Sequence, residues 1–194
     1  MELLVSLGRT LGFSLTSGVN LYATVAILGL AARYDWVALP PQYEVFASDW
    51  VIGGALLLYA IEFVADKIPW VDSMWDGVHT FIRPVGGALV ALGTAGEGSR
   101  TYEVMMALMG GTIAAGSHFT KASTRVAANA SPEPFSNWAL SFFEDIFVIG
   151  LGMLALQYPV VALAVTVLLL VIIALALRWT IRKLRGIGRP ADAV

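Results

Sequence analysis

The chain has 194 residues, 58% of them hydrophobic and only 13% charged, with a mean hydropathy of +0.76. About a quarter of a soluble domain is charged, so this composition excludes an ordinary soluble enzyme and reads as an integral membrane protein. The net charge of −2 points to no particular partner, nucleic acid is not expected to be one, and the lack of cysteine rules out disulfides, thiolate metal sites and cysteine nucleophiles.

The opening MELLVSLGRTLGF has no basic leader before its apolar run, and Arg9 interrupts that run, so a cleaved signal peptide is not expected. Apolar runs and breakers give six spans, roughly 5–33, 46–65, 73–95, 102–129, 138–157 and 159–181. The first is unusually long and is interrupted by TSGVN, where Ser17, Asn20 and Thr24 make a neutral polar stripe. After the second span, Glu62 to Asp72 contains Pro69 and reads as an acidic hinge, solvated or capping the next helix. In the third span Asp72, Asp76, His79 and Arg83 follow i, i+4, i+7, i+11 and share one helical face. The fourth is again long, is interrupted by AAGSH, and carries His118, Lys121 and Arg125 at i, i+3, i+7, a cationic face. In the fifth, Asn137, Ser141 and Glu144 form a third stripe with Asp145 beside it.

From Ile146 to Leu177 no residue is charged. As one helix that stretch would run about 48 Å at ~1.5 Å per residue, more than a ~30 Å hydrocarbon core needs, so Pro159 is expected to divide it into the last two spans. The tail RWTIRKLRGIGR carries Arg178, Arg182, Lys183, Arg185 and Arg189, which places the C-terminus in the cytoplasm, and six spans then place the N-terminus there too. Trp36, Trp50, Trp70, Trp138 and Trp179 fall near the expected span ends, where indole rings prefer to sit.

Laid on itself at an offset of about 98 residues, the chain pairs Gly12 with Gly110, Gly18 with Gly116, and WVIGG at Trp50 with FVIGL at Phe147; Pro40 and Pro41 correspond to Pro132 and Pro134. The reading is two three-helix repeats, 1–98 and 99–184, followed by a basic cytoplasmic tail, 185–194. Three spans per half would insert the halves with opposite orientation, a plan common among transporters. Breaks at TSGVN and AAGSH would expose backbone groups at the midplane; close helix packing through Gly18 and Gly116 is the alternative explanation of the same residues.

GVNLYATVAILGL, ADKIPWVDSMWDGVHTFIRPVGGAL and the basic tail together resemble a bacterial membrane family known as domain of unknown function 4126. The resemblance covers most of the chain, is densest from Gly18 to Leu92, and implies a small polytopic inner-membrane protein. It brings no activity or catalytic residues to carry over.

The expected fold is therefore an all-α polytopic bundle of about six transmembrane helices in two inverted repeats, in the bacterial inner membrane and forming a homo-oligomer. Its expected function is that of a transporter or channel, with a polar path lined by Ser17, Asn20, Asp76, His79, Arg83, His118, Lys121, Arg125, Glu144 and Asp145. Fixed positive charge in the fourth span beside broken helix N-termini favours a small anion or an anionic lipid headgroup as cargo. Asp66, Asp72, Asp76, Glu144 and Asp145 are available to neutralise Lys121 and Arg125, so a structural or accessory membrane protein held by ion pairs stays open. A metal-dependent membrane enzyme would need Asp72, Asp76 and His79 to converge on one ion. No HExxH, P-loop, nucleophile elbow or Asp-rich diphosphate motif supports an enzyme, and no cofactor is expected.

Overall fold

The computed structural model describes residues 1–129 and 135–187, with side chains to Arg182 apart from Thr180. The side chains of the basic tail, Lys183, Arg185 and Arg189 among them, and the segment with Pro132 and Pro134 lie outside the described residues. The described chain is all-helical: α1 (Glu2–Val19), α2 (Leu21–Arg33), a 3-10 turn (Pro41–Phe46), α3 (Asp49–Ala65), α4 (Pro69–Ala95), α5 (Arg100–Asn129), α6 (Phe135–Gln157) and α7 (Pro159–Ile187).

Segment 5–33 is two helices meeting at Asn20, whose backbone is extended at φ −149° and ψ 100°. Asn20 ends one helix and starts the other, since its N–H donates to Thr16 O at 2.8 Å and its side chain accepts from Ala23 N at 2.9 Å. Asparagine is among the best residues for that second role. The two helices run in opposite directions against α6: Gly12 lies on Ala155 and Val19 by Val148, whereas Ala23 lies by Val148 and Ile27 on Gly152. The start of α1 and the turn after α2 also return to one place, where Ser6, Arg9, Gln42, Tyr43 and Thr94 line a common cavity. Thus α1 and α2 form a hairpin that enters from the Ala95 end of the bundle, turns at Asn20 partway through, and leaves by the same end.

The remaining helices alternate. α3 runs from the Ala95 end to the Asp66 end, α4 returns, α5 descends, α6 returns, and α7 descends along α1, with Gly8 on Pro159 and Gly12 by Thr166. α1 also runs parallel to α5, with Ser14 at Gly110 and the Leu15 carbonyl on Ser117 Oγ. An inverted repeat pairing 5–33 with 102–129 requires the opposite sense. The expected second break is likewise missing: α5 is continuous through Ala115 and Gly116, and a Cβ on Gly116 would meet open space. α4 and α5, either side of the 98/99 boundary, form the most extensive helix pair among the described residues.

Two helices are long and apolar enough to cross a membrane by length and composition, Phe135–Gln157 and the Pro159–Trp179 part of α7. The others carry more charge; near their ends Glu2, Arg33, Asp49, Arg100 and Glu103 are exposed, while Glu62, Asp72, Asp76, Arg83, Lys121 and Arg125 point inward. Small residues let α1, α4 and α5 close on one another: an added Cβ would overlap Ser117 Oγ and the Ala114 carbonyl at Gly18, and the Ala91 Cβ and the Gly87 carbonyl at Gly110. Overpacking of this kind costs about 1–3 kcal/mol. Gly18→Ala and Gly110→Ala should therefore each lower the thermal midpoint of the purified protein in detergent, whereas Gly116→Ala should leave it unchanged or raise it; equal midpoints for all three would contradict the packing.

Candidate functional site

The turn of the hairpin leaves the last carbonyls of α1 without helical partners, and cations from two other helices complete them. Arg83 Nη1 on α4 donates to Gly18 O at 3.2 Å, and Lys121 Nζ on α5 donates to Val19 O at 3.2 Å. A helix C-terminus carries a partial negative charge, so a cation is the side chain that suits it. The end of α3 is treated the same way. Arg125 Nη1 donates to Asp66 O at 2.8 Å, and Lys67 Nζ to Phe63 O at 2.8 Å.

The same cations hold a set of buried carboxylates. Arg83 Nη2 pairs with Glu62 at 2.6 Å, and its Nη1 lies 3.4 Å from Asp76. Lys121 Nζ lies 2.9 Å from Asp66 and 3.4 Å from both Glu62 and Glu144. Arg125 grips Glu144 with two parallel bonds, Nε to Oε1 at 3.0 Å and Nη2 to Oε2 at 2.5 Å, and also bonds Asp66 at 3.1 Å. Forked pairing of this kind is the strong form of a charged hydrogen bond. Asp72 receives Asn129 Nδ2 at 2.9 Å and lies 3.8 Å from Arg125 Nε. Lys67 rests on the Phe63 ring, its Nζ 3.1 Å from the centroid, and donates to Ser141. Burial lowers the Lys67 pKa, a shift opposed by Asp145 and Asp66 and reinforced by Arg125.

The two histidines extend the network toward the hairpin. Arg83 can only donate, so the 2.7 Å contact from its Nη1 makes His118 Nδ1 an acceptor and the ring neutral; Nε2–H then faces Thr80 Oγ1 at 3.1 Å. His79 donates from Nδ1 to Trp75 O at 2.7 Å and meets the Tyr22 hydroxyl at Nε2, 2.9 Å away.

Of the residues expected on the path, Asp76, His79, Arg83, His118, Lys121, Arg125 and Glu144 are brought into this cluster. Asn20 joins it as the turn that presents the α1 carbonyls. Ser17 is buried, but its hydroxyl bonds back to Phe13 O on its own helix and meets none of the charges. Asp145 stands at the edge, near Tyr59 and Lys67, with Oδ2 buried and unpartnered. Sequence reading missed Glu62 and placed both Glu62 and Asp66 in an acidic hinge, although it offered Asp66 as a counter-charge for Lys121 and Arg125, the pairing found here. They are 0% and 3% exposed, because α3 continues to Ala65 and turns both acids toward α5. The usable signal was their i, i+4 spacing, with Ala55 seven residues before Glu62 on the same face. As metal ligands, Asp72, Asp76 and His79 do not converge: Asp72 faces Asn129 and Arg125, and His79 faces Tyr22. Among the described residues no group of three such side chains could hold a metal ion.

Two clefts reach the network from opposite sides of α5. One, of about 210 Å³, opens between α4 and α5 at Asp76, Thr80 and Arg125. The other, of about 360 Å³, has apolar walls from α5, α6 and α7, with Lys121 and Glu144 among its lining.

A family model described as "Domain of unknown function (DUF4126)" matches residues 7–179, and the chain belongs to that family. No curated protein and no solved structure matches it.

Removing one member of a buried ion pair leaves its partner uncompensated and costs about 3–5 kcal/mol. Arg125→Met, which strips Asp66, Asp72 and Glu144 of their shared cation, should show a loss of that order in denaturant or thermal unfolding in micelles. Asp145→Asn, at the edge, should be tolerated.

Proposed function

We propose that this member of the family is a bacterial inner-membrane transporter or channel whose buried network carries protons. The observation that supports this most directly is the charge count of the network. Glu62, Asp66, Asp72, Asp76, Glu144 and Asp145 supply more negative charge than Lys67, Arg83, Lys121 and Arg125 can cancel, and His118 is neutral. An isolated buried carboxylate is too costly to persist, so the surplus is held as protonated acid or by a captured cation. Glu62, Asp66, Asp72 and Asp76 each keep one buried oxygen without a hydrogen-bond partner. Ionisable groups that face a bundle interior and are reached from outside are the usual form of a proton relay.

The same geometry favours protons over the small anion or anionic headgroup expected from the cationic stripe. Arg83, Lys121 and Arg125 are each engaged by carboxylates and by helix carbonyls, which leaves Arg83 Nε unpartnered but the positive charge of all three already balanced by acids.

Membrane residence is supported by an inside-out distribution. Glu62, Asp66, Asp72, Asp76, Arg83, Lys121 and Arg125 are buried, while Trp50, Phe81, Leu108, Phe143, Leu168 and Leu175 are among many large apolar side chains exposed on the bundle surface. Trp36 and Trp50 lie toward the Ala95 end and Trp70, Trp138 and Trp179 toward the Asp66 end, as two interfacial belts would. From Pro159 to Trp179, α7 rises about 30 Å at ~1.5 Å per residue, one hydrocarbon thickness. With α1–α2 as a re-entrant hairpin, the chain crosses five times rather than six. If the basic end of α7 is cytoplasmic, residues 1–10 lie on the opposite face. Apolar α7 then meets lipid or a second copy of the chain.

A structural role for the network is favoured by one observation, that every cation in it is paired, and flux separates the two readings. In proteoliposomes loaded with a pH dye, an imposed potential should drive proton entry through the wild type, and Glu62→Gln or Asp76→Asn should return it to the rate of empty vesicles. No proton or alkali-cation flux in a correctly folded wild type would leave the structural reading. The absence of native cysteine allows a second check by single-cysteine labelling in cells. Cysteines at Glu2 and Asp35 should react from one side of the membrane and those at Trp70 and Arg182 from the other; a six-span chain would instead separate Glu2 from Asp35.

A further inference from the structure

At the end of the bundle opposite the acidic network, α1 carries Arg9, a cation with no carboxylate partner among the described residues. Its Nη2 donates to Leu156 O at 3.3 Å, the C-terminal carbonyl region of α6, and this bond fixes the guanidinium. Its Nε is buried and unpartnered, as is the hydroxyl of Tyr43, a residue 1% exposed whose ring lies 6.0 Å from Arg9 Cζ. Both residues line a partly open cavity of about 390 Å³ bordered by Val5, Pro40, Thr94 and Ala95, with Met1 and Glu2 also in its lining.

We infer that this cavity is a binding site for a short-chain monocarboxylate, an assignment that does not rest on the proton-transport reading. Two unused donors, one charged and one neutral, belong to residues that line the same cavity, the arginine is held in a fixed orientation, and an arginine fork matches the two oxygens of a carboxylate. Burial raises the Tyr43 pKa, an effect only partly offset by Arg9, which keeps the phenol protonated as a donor. Val5, Pro40 and Ala95 offer apolar surface to a chain of a few carbons. Arg9 and the Met1 amino group bring positive charge to the lining and Glu2 brings negative charge, a net of one positive charge, so the site selects a monoanion over a dianion such as phosphate.

The test is calorimetric titration of the detergent-solubilised full chain with sodium propionate, sodium phosphate and sodium chloride at matched ionic strength. Propionate should bind saturably and more tightly than phosphate or chloride. Tyr43→Phe should weaken it about tenfold, the loss of one hydrogen bond to a charged group. Arg9→Gln should abolish saturation, and Glu2→Gln should improve phosphate relative to propionate. Should Arg9→Gln fail to fold, Arg9→Lys, which keeps the charge but not the fork, should weaken propionate while leaving a folded protein. Absence of saturable propionate binding to the wild type, phosphate binding as tight as propionate, or unchanged propionate affinity in Tyr43→Phe together with either Arg9 variant would overturn the assignment.

Discussion

The structure depends on cations that finish helices. Arg83 and Lys121 complete the carbonyls at the end of α1, Arg125 and Lys67 those at the end of α3, and Arg9 one at the end of α6. A helix that ends inside an apolar bundle leaves acceptors that its apolar neighbours cannot satisfy, and each left unpaired would cost more than a surface helix end does. Here the acceptors are met by side chains from distant parts of the chain, which ties the stopping point of each helix to the register of its neighbours. α1 can stop at Val19 because α4 and α5 place Arg83 and Lys121 at that depth.

Cations in such a place need counter-charges, and the carboxylates of α3, α4 and α6 follow from that need. A buried ion pair is a poor source of stability, because desolvation takes back most of the Coulomb attraction. Its value is in specificity. Sliding α3 by one turn would take Glu62 from Arg83 and Asp66 from both Lys121 and Arg125. Apolar packing against lipid would tolerate that shift with little penalty, so in this bundle the charges set the alignment and the close glycine contacts of α1, α4 and α5 then hold it.

Much of this was legible in the sequence, and the failures have physical causes. The stripes on α4, α5 and α6 could be read because helical periodicity carries each polar face without reference to any partner. The stretch from Glu62 to Asp66 was misread because a cluster of charges next to a proline has the composition of a loop, while its i, i+4 spacing is that of a helix. The first segment was misread for a different reason. Hydropathy measures how apolar a run is and not which way it travels, so 29 residues that enter and return look the same as 29 that cross. Asn20 was noticed as a polar break, yet only its extended backbone shows that the chain reverses there. AAGSH looked like a matching break but keeps its helix: Gly116 faces open space, and Ser117 and His118 bond to α1 and α4 with their side chains alone.

A hairpin that turns at mid-depth divides the interior into two polar zones with an apolar layer between them. On one side lie Arg9 and Tyr43, on the other the acids with Arg83, Lys121 and Arg125. Between them Ser14, Ser17 and Thr94 return their hydroxyls to carbonyls of their own helices, and Thr94 to Thr10 at 3.3 Å is a hydroxyl contact that does cross from α4 to α1. The rest of the layer is filled by Phe13, Leu15, Val90 and Ala91 and closed by Gly87 and Gly110. A solute or proton passing from one zone to the other would have to part α1 from the α4–α5 pair at this layer. Such parting is resisted by short-range apolar packing, which has little reach once separated, and by hydroxyl bonds from Ser6 to the Ala95 carbonyl, Ser117 to the Leu15 carbonyl and Thr94 to Thr10, while the ion pairs just below hold the hairpin tip. The N-terminal half of α1 is held as well, by Ser6 on the Ala95 carbonyl, Arg9 on the Leu156 carbonyl and the close approach of Gly8 to Pro159, so α1 is fixed at both ends of this layer.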